Sequence, residues 1–140
     1  MPTTFDHVIA PRRLQADHLH VLVLHADEVG GATLCSLLRD LSHDCLCASS
    51  ISDALSLVGE TTFDVAIIDI SSDAATDGFL AAQLLRRAAR LQALFVGDLY
   101  SKPLEVLTER LGIGYLTWPF SSHALQRALL HARNELIDDA

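Results

Sequence analysis

Between Asp64 and Asp69 the chain reads Val65, Ala66, Ile67, Ile68, four apolar residues with no polar alternation. A strand built from such a run hides both of its faces. That is the habit of central strands in parallel sheets covered by helices on each side, and not of half-solvated antiparallel sheets. The run ends in a carboxylate, Asp69, where a buried strand meets the surface. Such a group is either a chemical group or a cap for nearby backbone N–H groups.

The rest of the chain follows the same grammar. LHVLVL (19–24) reads as a buried strand, and Leu34, Leu37, Leu38 and Leu41 then recur at the spacing of one helix face. DCLCAS (44–49) is a weaker strand, followed by Ile51, Ala54, Leu55 and Val58 as a second helix stripe with Ser50 as its N-cap. After the third strand, FDVAIIDI (63–70), the segment SSDAATDG (71–78) reads as a turn leading into the helix FLAAQLLRRAAR. LQALFVG (91–97) is a fourth strand, and Leu104, Leu107 and Leu111 mark a short helix ending at Gly112. IGYLTW (113–118) is a fifth strand, and the last helix, starting after Pro119, carries Leu125, Ala128, Leu129, Ala132 and Leu136 on one side. Five strands alternating with five helices imply an α/β, doubly wound parallel sheet. Residues 1–18 read as a polar leader and 19–138 as one domain.

In such a sheet, ligands gather beyond the carboxyl ends of the strands. The residues in question are therefore His25, Ala26 and Asp27, then Asp69, Gly97, Asp98 and Trp118. A formal net charge of -8, with ten scattered Lys and Arg, argues against a nucleic-acid surface. No apolar stretch is long enough to span a bilayer, so no membrane partner is expected. Three cysteines, Cys35, Cys45 and Cys47, lack a CxxC or zinc spacing and read as buried, free thiols of a cytoplasmic protein. Gly30-Gly31 stands near the first helix, yet neither G-x-G-x-x-G nor a P-loop is present. A phosphate-cradling enzyme is not expected.

Two motifs at this spacing resemble a known family. FDVAIIDI followed by Asp77-Gly78 looks like the third strand, phospho-accepting Asp and following loop of the receiver domains of two-component response regulators. GYLTWPF (114–120) is similar to that family's fifth-strand motif, keeping Gly114, Tyr115, Pro119 and Phe120. The resemblance covers residues 19–138 and implies a flavodoxin-like, CheY-like receiver fold with strand order 2-1-3-4-5.

It also implies a chemistry, and a loss of it. Asp69 takes the phospho-acceptor position. The family's acidic magnesium-binding pair falls on His25 and Ala26, its hydroxyl on Gly97 and its lysine on Trp118. Magnesium prefers hard oxygen ligands, so no cofactor is expected unless Asp27 or Glu28 compensates. Trp118 is read as a cover over the emptied pocket, and Tyr115, the family's switch aromatic, as a packed ring with its hydroxyl outward. The expected function is phosphorelay signalling by a stand-alone, atypical (pseudo-receiver) domain through protein–protein interaction. Its partner would be a sensor histidine kinase, another regulator or a second copy, met on the face of the fourth helix, fifth strand and last helix. Two other readings stay open: a phosphorylatable regulator using Asp69, and an interaction module in which His25 responds to pH.

Overall fold

The computed structural model describes residues 18–71, 75–98 and 101–138. Most of the leader, residues 1–17, lies outside them. The elements run β1 His20–Leu24, α1 Glu28–Asp40, β2 Asp44–Ala48, α2 Ile51–Glu60 and β3 Val65–Asp69. They continue with α3 Ala75–Ala88, β4 Gln92–Gly97, α4 Lys102–Leu111, β5 Tyr115–Thr117 and α5 Ser122–Asp138. All strand pairs are parallel, in the order β2-β1-β3-β4-β5. This is the fold class expected.

Successive strand residues feed opposite sides of the sheet. Val21, Val23, Val65, Ile67, Leu94 and Val96 meet Leu34 and Leu38 of α1 and Leu125, Leu129 and Ala132 of α5. Leu22, Leu24, Ala66, Ile68, Ala93 and Phe95 meet Ala54 of α2 and Ala81, Ala82 and Leu85 of α3. The central strands are apolar throughout because both faces are core. Local signals fix the helix ends: Ser50 Oγ accepts the Asp53 N–H, Ser101 Oγ accepts the Leu104 N–H, and α4 closes on Gly112.

Two buried polar side chains tie the elements together. His43 accepts the Leu19 N–H at Nδ1, so its Nε2–H donates to Gln126 Oε1 at 2.8 Å, tying α5 to the first strand. Asp64 accepts the His20 N–H at 2.9 Å. Among the described residues no helix is long and apolar enough to cross a membrane.

Two expectations are corrected. α3 begins at Ala75, so Asp77 and Gly78 lie in its first turn and not in a loop. The cysteines are not three free buried thiols, because Cys35 and Cys45 pair as a disulfide while Cys47 is free and exposed.

Candidate functional site

The parallel sheet sets the carboxyl ends of β1, β3, β4 and β5 along one rim. Asp69 is the last residue of β3 and only 8% exposed. Its Oδ1 accepts two hydrogen bonds from Ser71, from the backbone N–H at 3.2 Å and from Oγ at 2.7 Å. The carboxylate therefore caps the turn that leaves the strand. Its Oδ2 faces His25 Nε2 at 3.8 Å, with both side chains largely buried.

His25 follows β1 directly. The Asp27 N–H donates to its Nδ1 at 3.1 Å, which leaves the ring proton of the neutral imidazole on Nε2, toward Asp69. The ring lies so close to the first turn of α1 that a Cβ on Gly30 would collide with it. Gly30 is thus the residue that lets His25 reach inward, which accounts for one of the paired glycines without any phosphate.

Of the next two residues, one carries no donor and the other caps a helix. Ala26 is exposed and brings no oxygen ligand from its side chain. Asp27 is the N-cap of α1: its carboxylate accepts the Val29 N–H at 3.3 Å and the Gly30 N–H at 3.2 Å. A carboxylate at that position also meets the positive end of the helix dipole. Glu28, exposed in the first turn, does the same from within the helix. The two side chains that alone could have compensated for the missing acidic pair are thus in helix-start positions.

On the other side of Asp69, Gly97 ends β4 and pairs with Thr117 of β5. The Tyr115 ring covers it: a Cβ on Gly97 would stand 2.5 Å from Tyr115 Oη and 3.1 Å from Cε1. This corrects the expected outward hydroxyl. The aromatic turns inward because the glycine vacates the space. Gly97→Thr should therefore overpack the rim and cost roughly 1–3 kcal/mol, read as a lower urea midpoint with altered near-ultraviolet circular dichroism from Tyr115. Unchanged values in both would mean that the space over position 97 is open.

Trp118 donates its backbone N–H to Gly97 O at 2.7 Å, so it does stand on the same rim. Its ring, however, stacks on Phe120 at 4.1 Å and packs against the α1/α5 half of the core. The pocket beside Asp69, about 280 Å³, is lined by Leu24, Ala26, Ser49, Ser50, Ile51, Asp69, Asp77 and Gly78. Trp118 is not among these, so its ring is not the cover of that pocket. Ser49, Ser50 and Asp77 join the rim as well: the two serines lie between β2 and α2, a placement just after a strand that the sequence signals, and Asp77 lies in the first turn of α3.

The positions that follow β1 offer magnesium little. The ion wants several oxygen ligands in near-octahedral order. Here Ala26 supplies none from its side chain, the Asp27 carboxylate holds the helix start, and Asp69 Oδ1 is bound by Ser71. His25 presents an N–H to Asp69, and a nitrogen ligand suits softer metals.

No protein-family model matches the sequence, and no curated protein is similar to it. Solved structures are similar in fold. The signal receiver domain of a modulated diguanylate cyclase from Desulfovibrio desulfuricans G20 superposes with a TM-score of 0.75 at 23% identity, over 87% of this chain and 98% of that one. The receiver domain of the Francisella response regulator 1452 gives 0.71 at 23%, over 84% and 98%. A response regulator receiver domain protein from Clostridium thermocellum gives 0.75 at 19%, over 87% and 99%. The chain has the receiver fold.

Proposed function

We propose that this chain is a receiver domain of two-component signalling that works by docking onto a protein partner in the cytoplasm, without magnesium-dependent phosphorylation of Asp69. One observation carries the reading: each position where phosphoryl chemistry needs charge or a donor is given to something else. Phosphoryl transfer is catalysed mainly by positioning and by cations or donors around the transferring group. Beside Asp69 stand Ala26 and the histidine His25, Asp27 caps α1, and Gly97 carries the Tyr115 ring.

The docking face is proposed on α4 and β5. Val106 and Leu107 of α4 are 38% and 39% exposed, large apolar residues left in water on the helix that precedes β5. The outer positions of α5 are polar instead, with His123, Arg127, His131 and Asn134 exposed. A sensor kinase, another regulator or a second copy would meet an apolar α4 and a polar α5.

A phosphorylatable receiver is the second reading, and it is favoured by one feature: Asp69 at the end of the central strand lines a pocket open to small molecules. Intact-mass analysis after incubation with acetyl phosphate and magnesium separates the two. The expected spectrum shows the unmodified chain. A phosphoryl increment that disappears in Asp69→Asn would establish the second reading.

A further inference from the structure

Cys35 leaves α1 toward the sheet edge, and Cys45 and Cys47, two residues apart on β2, point to the same side. The three sulfurs meet. All lie within 4.8 Å of one another, Cys47 Sγ is 2.6 Å from Cys35 Sγ, and Cys35 also pairs with Cys45. One sulfur thus has two partners within reach, which simple hydrophobic packing does not require.

We infer that, once the Cys35–Cys45 bond is reduced, Cys35, Cys45 and Cys47 form a three-thiolate site for a soft d¹⁰ cation, Zn²⁺ or Cu⁺. This site is separate from the Asp69 rim and does not depend on the function proposed above. Reduction takes two electrons from a thiol or phosphine reductant and two protons, and yields two thiols. The cation then binds three sulfurs and releases their three protons.

The geometry suits this. Thiolates bound at about 2.3 Å around a tetrahedral ion stand roughly 3.8 Å apart, a separation these sulfurs reach by modest side-chain rotation. Cys35 and Cys45 are 2% and 8% exposed and form the floor, while the exposed Cys47 leaves the outer side open to water as a fourth ligand. The Gly31 carbonyl accepts the Cys47 thiol at 3.5 Å and holds it over the floor. Burial keeps that thiol above its ordinary pKa, partly offset by the Arg39 charge. Soft sulfur ligands select Zn²⁺ and Cu⁺ over magnesium or calcium.

A competing donor set, His18, His20 and Asp44, is exposed and offers only nitrogen and oxygen. The test therefore uses a probe that reports sulfur. The full chain, reduced with a phosphine under anaerobic conditions, is titrated with Cd²⁺ while thiolate-to-metal charge transfer is followed in the ultraviolet. The expected result is a band saturating at one ion per chain, kept in His20→Ala and weakened roughly tenfold or more in affinity by Cys47→Ser, since even outer-shell partners of a metal are worth that much. Cys47 is exposed, so its variant should keep the fold, checked by far-ultraviolet circular dichroism. No charge-transfer band, or an equal band in folded Cys47→Ser, would overturn the site.

Discussion

Asp69 should become a phosphoryl acceptor only when four rim positions change together: His25→Asp, Ala26→Asp, Gly97→Thr and Trp118→Lys. Losing one positioned donor at a developing charge costs about 10²-fold or more in rate. With the acidic pair, the hydroxyl and the lysine all missing, single replacements should remain silent. Trp118→Lys alone would add a cation and still leave no hard oxygen from Ala26 and no hydroxyl at position 97. Gly97→Thr alone would meet the Tyr115 ring, which occupies that space. The fourfold variant should show a phosphoryl mass increment with acetyl phosphate and magnesium, abolished by adding Asp69→Asn. An equal increment in any single variant would mean that the rim retains more of the chemistry than its side chains suggest. Ser71 sets a further condition, since its two hydrogen bonds to Asp69 Oδ1 must yield before that oxygen can be used.

The sheet was legible in the sequence because the core writes itself twice into each central strand. Val65 to Ile68 are apolar without a break, since odd residues serve α1 and α5 and even ones serve α2 and α3. The start of α3 was not legible. Ser, Asp, Thr and Gly crowd residues 71–78 and have the composition of a turn. Gly78 is nevertheless helical, and its missing Cβ leaves room for Ile70. Asp27 was open to better reading: an Asp just before a helical stripe is an N-cap signal in its own right. The inward Tyr115 and the meeting of Cys35 with Cys45 and Cys47 depend on packing between elements, which periodicity along one segment does not encode. The positions of Asp69, His25, Ala26, Gly97 and Trp118 along the rim followed from strand order alone.

The largest loss of stability is expected from Phe95→Ala. Phe95 lies on β4, the strand between β3 and β5, and is completely buried. Its ring meets Phe79 of α3 edge to face, with centroids 5.4 Å apart, so truncation opens a cavity in the α2/α3 half of the core and strands a second aromatic. Removing a buried phenylalanine ring costs about 3–5 kcal/mol, through lost transfer energy plus the cavity left behind. Against a typical total of roughly 5–15 kcal/mol, that is enough to leave the variant marginal. A urea titration followed by Trp118 emission should show a much lower midpoint at similar slope. Trp118 packs against the opposite half of the core, so its signal reports global unfolding and not the local vacancy. A loss below about 1 kcal/mol would mean that α3 closes onto the sheet when the ring is removed, since the cost of such a truncation falls as the site collapses. In that event Asp77 and Gly78, which line the pocket beside Asp69 from the first turn of the same helix, should shift with it. The core and the candidate site would then be mechanically joined through α3.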